Sequence, residues 1–265
     1  MKLITNAELA LMKKDFAEIW NAKMVRSTLV VLPILMVVFL PVMFICMILF
    51  VPQNQMNGVD QMMKLLPFTE KNLSIQQAMF YIMTNVISPM FFLMIPLMSS
   101  SVSASCSFVG EKERKTIETL LLTPLRVKSI FKAKVLGCTV LSVAITAISF
   151  AVFSAVTGVG DYLLHMKFFF NWNWLVLVVL LAPALTVFGV IFMVLVSGKS
   201  KSYMESIQLS GYIILPLVLL FVGQFTGLFQ LNALILLCVG VLAVALDFVL
   251  WFFASRVFTP EKLLK

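Results

Sequence analysis

Residues 29–51 read LVVLPILMVVFLPVMFICMILFV, an uninterrupted apolar run with no charged or amide side chain. At about 1.5 Å of rise per residue, a helix of that length crosses the roughly 30 Å of hydrocarbon in a bilayer. A helix also satisfies its own backbone hydrogen bonds, which lipid cannot do for it. Five further stretches repeat the pattern, at 78–104, 135–157, 173–197, 207–228 and 232–254, and Asp247 is the only Asp, Glu, Lys, Arg or His inside any of the six. The whole composition agrees: 61% of the 265 residues are hydrophobic and 12% charged, with a mean hydropathy of +1.04. A soluble domain of this size has too little polar material here to cover its surface. The expected fold is an all-α membrane protein with six transmembrane helices.

The formal charge of +8 is compatible with nucleic acid or with a membrane surface, and its distribution decides for the membrane, with no nucleic-acid partner. Lys2, Lys13, Lys14, Lys23 and Arg26 precede the first span, and Lys112, Arg114, Lys115, Arg126, Lys128, Lys132 and Lys134 lie between the second and third. Lys199 and Lys201 follow the fourth span, and Arg256, Lys262 and Lys265 follow the sixth, all on the same side. The opposite side has only Lys64, Lys71 and Lys167. Positive charge is retained in the cytoplasm, so both termini are expected there, in the cell (inner) membrane. The external segments 52–77, 158–172 and 229–231 are too short to fold separately. The last makes the fifth and sixth spans antiparallel neighbours, and Gly223 and Gly227 beside it permit a broken or re-entrant end. The chain reads as one membrane domain over 1–265: an interfacial segment at 1–28, a bundle at 29–254 and a cytoplasmic tail at 255–265. It has no internal repeat.

Several chemistries are set aside by the residues themselves. Cys46, Cys106, Cys138 and Cys238 are scattered, without a C-x-x-C pair, and His165 is the single histidine, so no metal set forms. The first 28 residues are charged throughout, unlike a cleavable leader. Gly198-Lys199-Ser200 ends like a phosphate-binding loop, but that loop needs glycine at 193, where Met193 stands, and it follows a strand rather than a membrane helix. No convergent set of carboxylates, histidines or nucleophile with base exists for intramembrane catalysis, so no catalytic residue is expected. An ion-coupled secondary transporter needs ionisable groups within the membrane, for which Asp247 is the only candidate. A structural role inside the bundle is the alternative for it.

Two cytoplasmic segments remain. Between 6 and 24, Leu9, Met12, Phe16, Ile19 and Trp20 recur at helical spacing, with Lys13, Lys14, Asp15 and Glu18 mostly elsewhere around the helix. That pattern fits a helix lying in the membrane interface and in contact with lipid, or one packed on the protein's own cytoplasmic surface. Between the second and third spans, Glu111, Glu113 and Glu118 fall early in a short helix that Pro124 should end, and Ile117, Leu120 and Leu121 form its apolar stripe. A helix charged on one side and apolar on the other suits docking into a protein groove. A solvated, salt-bridged loop is the other reading.

The run Gly110-Glu111-Lys112-Glu113-Arg114, then Thr116-Ile117-Glu118, then Leu120 to Leu125 with Pro124, closely resembles the cytoplasmic loop signature of ABC-2 type transporter permeases. Ser200-Lys201-Ser202 with Glu205, Gln208, Gly211 and Pro216, and Arg256-Val257-Phe258 with Glu261, Leu263 and Leu264, agree with it. One departure is Lys115, where the family often has glycine. The resemblance implies the type V exporter fold and a half-transporter that pairs with a second permease, the same chain or a paralogue. Each permease rests on a separate ATP-binding subunit that carries ATP and Mg, with no cofactor on this chain. It further implies that Glu111, Glu113, Arg114, Thr116, Ile117, Glu118, Leu121 and Pro124 couple to the ATPase, that the N-terminal helix is the elbow helix, and that 198–205, with Glu205, makes a second contact. The transport path would lie between permeases, lined mainly by the second and fifth spans. The methionine- and phenylalanine-rich second span suits amphipathic peptides, lipids or hydrophobic antibiotics. The compact loops resemble those of exporters of phenol-soluble-modulin-like peptides, and also those of antibiotic and ion exporters.

Overall fold

The computed structural model describes residues 5–50, 73–116, 119, 122, 126–198, 200, 202–226 and 232–257. Helix α1 spans Asn6–Asn21. The membrane spans are α2 (Lys23–Phe50), α3 (Ile75–Glu113), α4 (Val127–Leu163), α5 (Trp172–Ser197) and α6 (Tyr203–Phe225), followed by α7 (Ala233–Val257). All six are long and apolar enough to cross a membrane. The chain is a multi-pass membrane protein.

The helix starts are written locally. Thr5 and Glu8 form a reciprocal capping box at α1, and Ser74 and Gln77 form another at α3. Each supplies acceptors for backbone N–H groups that a first turn leaves unpaired. Gln77 also reaches across the bundle, its Nε2 donating to the Leu164 carbonyl at 3.1 Å just past the end of α4. Asn171 accepts from Trp174 N–H at the start of α5 while its amide donates to Asn85 of α3 at 2.7 Å.

Four widened π-helical turns interrupt the spans, and three share one cause. In each, the residue just before a proline donates its N–H five residues back: Leu40 to Leu35, Ser88 to Met83 and Ala182 to Leu177, ahead of Pro41, Pro89 and Pro183. A proline ring clashes with the carbonyl four residues before it, and a wider turn moves that carbonyl aside. The fourth, Ser105–Val109, precedes Gly110 instead.

Helix α3 is the buried centre of the subunit. Of its most apolar window 83% is buried, against 17% for the sixth span. It packs chiefly on α5 and α4. Small residues permit the approach: a Cβ added at Gly189 of α5 would collide with Ser100 of α3. Near the start of α5, Trp174 is fully enclosed and meets Phe92, Phe150, Phe153 and Phe169 at ring-centroid distances of 5.0–5.8 Å.

Helices α3 and α4 run well beyond their apolar cores. At about 1.5 Å per residue each is longer than 50 Å, so both project from the hydrocarbon. Consequently α4 includes two buried ionisable residues that the apolar run at 135–157 leaves outside, Lys134 and Asp161. Helix α6 continues through Gly223 to Phe225 without a break; Gly227 lies outside the described residues.

Candidate functional site

Of the residues foreseen, Glu111 and Arg114 belong to a charged cluster where α1, the end of α3 and the start of α4 meet. Its centre is Lys134, 2% exposed, with Asp15 at 3% and Glu111 at 2%. The Lys134 ammonium lies 3.1 Å from Asp15 Oδ2 and 3.0 Å from Glu111 Oε2, and it donates to the Ser107 carbonyl at 2.9 Å. The Ser107 hydroxyl donates to Asp15 Oδ2 at 2.8 Å. Ser107 sits in the π-helical turn that precedes the last turn of α3.

A second layer closes the cluster toward solvent. Lys14 binds Glu111 Oε1 at 2.7 Å and lies 3.6 Å from Glu18, while Arg114 pairs with Glu18 at 2.7 Å. Three carboxylates and three cations therefore alternate. Burial pushes the Asp15 carboxyl above its ordinary value, against the opposing pull of Lys134 and of the Ser107 hydrogen bond. Burial pulls Lys14 down, but its hydrogen bond to Glu111 and the neighbouring carboxylates outweigh it and raise the ammonium overall. Asp15, Glu18 and Glu111 bring oxygens within 4.8 Å of one another, as a metal site does. Each already faces a cation of the protein, and that arrangement does not fit a metal ion.

The end of α3 is closed by its own backbone. Thr116 N–H donates to the Glu111 carbonyl and Lys115 N–H to the Lys112 carbonyl, with Lys115 at φ 58°. This is a Schellman closure, whose C′ residue must be left-handed and is usually glycine. Lys115 adopts this conformation without the freedom a glycine would have. Just before this closure, Glu113 accepts the Tyr203 N–H at 2.9 Å. The carboxylate thus sits on the first turn of α6, where unpaired N–H groups favour negative charge.

The foreseen residues thus separate. Glu111, Arg114, Thr116 and Glu113 are brought together or tied to neighbouring helices as above. Glu205 lies in the first turn of α6, its N–H capped by the Ser202 hydroxyl at 3.2 Å. Ile117, Glu118, Leu121 and Pro124 lie outside the described residues. Asp247 stands apart, buried on α7.

The stripe expected on α1 is divided. Glu8, Leu11, Asp15 and Ile19 face the protein, and Met12 packs against Gly137 of α4. Leu9, Phe16 and Trp20 are exposed, with Phe16 and Trp20 stacked at 6.1 Å. Asp15 belongs to the buried face because Lys134 offers it a partner there. The spacing of 8, 11, 15 and 19 was the available signal, obscured by a charge at two of the four positions. Lys134 was missed because it opens an apolar run and reads as a flank.

The family model described as ABC-2 family transporter protein matches residues 9–251. The chain belongs to the ABC-2 transporter family. As an ABC-2 permease it is the membrane component of an ABC transporter, a family that pairs with an ATP-binding subunit and is generally not itself enzymatic. Comparison with curated proteins and with solved structures finds no match. The ionic cluster and the α3 end lie within the matched residues, and they join four helices at one end of the bundle.

Proposed function

We propose that this ABC-2 permease moves an amphipathic or hydrophobic substrate out of the cell, driven by an ATP-binding subunit docked on the segment from Glu113 to Pro124. Both termini face the cytoplasm in this reading, ATP and Mg are bound by the partner, and two permeases enclose the pathway. The observation that carries it is the hydrogen bond from Tyr203 N–H to Glu113. It ties the end of α3 to the start of α6, while Glu111 ties the same end to α1 and α4. A push on the segment after Glu113 therefore reaches four helices through charge-assisted contacts rather than through a loose loop. The exposed Leu9, Phe16 and Trp20 support an interfacial α1 in contact with lipid, with Lys13 between them able to extend to headgroups. Since α3 is enclosed within its own subunit, the exposed face of α6 is the better wall toward a second permease.

The test is to co-express the chain with its ATP-binding subunit and compare Glu113→Ala with Ile117→Asp. Ile117→Asp should lose the partner on purification, because it places a charge where an apolar contact is expected. Glu113→Ala should retain the partner but lose stimulation of ATP hydrolysis by amphipathic peptides. Normal assembly and normal stimulation in both variants would refute the docking assignment. Native mass spectrometry showing a single permease in a transport-competent complex would refute the dimer.

A further inference from the structure

A pocket of about 390 Å³ lies at the far end of the bundle from the ionic cluster. Asp161 in its wall and Lys134 in the cluster stand on one continuous helix, α4, roughly 40 Å apart at about 1.5 Å per residue. That separation exceeds the roughly 30 Å of hydrocarbon in a bilayer. Two elements make the polar wall. Thr84 and Asn85 come from the π-helical turn of α3 ahead of Pro89, and Asp161, His165, Lys167 and Asn171 come from the end of α4 and its connection to α5. The Asn171 amide donates to Asn85 at 2.7 Å, and the Asn85 amide to the Thr84 hydroxyl at 3.0 Å. These bonds hold the two elements at a fixed distance.

Opposite charges stand in this wall without pairing to each other. Asp161 is 5% exposed. Its Oδ2 accepts the Phe169 N–H at 2.9 Å, and its Oδ1 has no hydrogen-bond partner among the described residues. Lys167 is exposed and lines the same pocket, and among the described residues it forms no ion pair. A buried carboxylate is costly without a donor, and a lysine ammonium offers donors to an anion. The pocket is therefore complementary to a molecule that brings both an ammonium and an anionic group. Its level in the bundle narrows the choice. Tyr162 and Trp172, the sequence neighbours of Asp161 and Asn171, are exposed, and exposed Tyr and Trp at the end of a span mark the headgroup layer. Met166 and the exposed Phe168 give the pocket an apolar side.

We infer that this pocket binds the phosphoethanolamine group of an ethanolamine phospholipid, its ammonium on Asp161 and its phosphate on Lys167. A primary ammonium supplies the N–H donors that Asp161 Oδ1 lacks, and a phosphate accepts from a lysine through charge-assisted hydrogen bonds. Phe168 lies against the start of the acyl chains. Bound there, the headgroup bridges the π-helical turn of α3 and the connection between α4 and α5. The site lies at the opposite end of α3 from Glu113 and needs no partner subunit, so it goes beyond the export reading.

The experiment titrates the delipidated full chain in detergent with phosphatidylethanolamine or phosphatidylglycerol of the same chain length, and counts bound lipid by native mass spectrometry. Phosphatidylethanolamine should bind saturably, one per chain, and at least tenfold more tightly than phosphatidylglycerol, which has the phosphate but no ammonium. Asp161→Asn keeps an oxygen for the Phe169 N–H and should remove that preference. Lys167→Gln, at an exposed position that leaves the fold intact, should weaken both lipids several-fold, since both carry the phosphate. Glycerophosphoethanolamine, the same group without chains, should displace the lipid at least tenfold less effectively than phosphatidylethanolamine does. Equal displacement would overturn the lipid as the source and assign the pocket to a soluble compound of the same chemistry. Equal affinity for the two lipids in the unaltered chain would overturn the inference, as would an undiminished preference in Asp161→Asn or unchanged affinities in Lys167→Gln. None of these results touches the permease reading, which stands or falls on co-purification of the ATP-binding subunit.

Discussion

Replacing Lys134 by methionine keeps the length of the side chain and removes its charge. In the native cluster the ammonium lies 3.1 Å from Asp15 and 3.0 Å from Glu111, and both carboxylates are almost fully buried. Glu111 retains Lys14 at 2.7 Å in the variant, but Asp15 is left with only the Ser107 hydroxyl. Breaking a buried pair by removing one partner costs about 3–5 kcal/mol, because the remaining charge is uncompensated. For soluble chains of 150–250 residues each kcal/mol moves the melting temperature by about 2–4 °C, so a fall of roughly 6–20 °C is expected. Thermal unfolding of the detergent-solubilised chain, followed by size-exclusion chromatography, measures it. The double variant Lys134→Met with Asp15→Asn should recover most of the loss, since it removes the stranded charge along with its partner. A Lys134→Met shift below about 2 °C, or additive losses in the double variant, would refute the claim that this cluster pins α1 to the bundle.

Lys115→Gly should stabilise the chain by about 1 kcal/mol, because glycine accepts the left-handed backbone at the end of α3 without a Cβ penalty, and the same melting assay detects it. Gly189→Ala should destabilise by about 1–3 kcal/mol through its collision with Ser100, with partial rescue by Ser100→Gly. Trp174→Ala should cost about 3–5 kcal/mol by emptying the centre of the aromatic cluster near the start of α5. In a background lacking the four native cysteines, a cysteine at His165 should react with an impermeant reagent from outside intact cells and one at Lys115 should not; the reverse pattern would overturn the topology.

The sequence alone determined the six spans, their approximate limits and the expected orientation, because each depends on local properties. A run such as 29–51 is long enough to cross a bilayer whatever its neighbours do, and the lysines between the second and third spans mark one side by number alone. The resemblance to the family was likewise carried by residues 110–125, of which most positions from 117 onward lie outside the described residues. Tertiary structure alone decided the rotation of α1. Its apolar and charged residues permit more than one buried face, and the choice of Glu8, Leu11, Asp15 and Ile19 follows from Lys134, 119 positions away from Asp15 in the chain. Periodicity reports which residues share a face of a helix, but a charge on that face is buried only where another element brings its partner. The same reason hid the link between Glu113 and Tyr203, 90 positions apart.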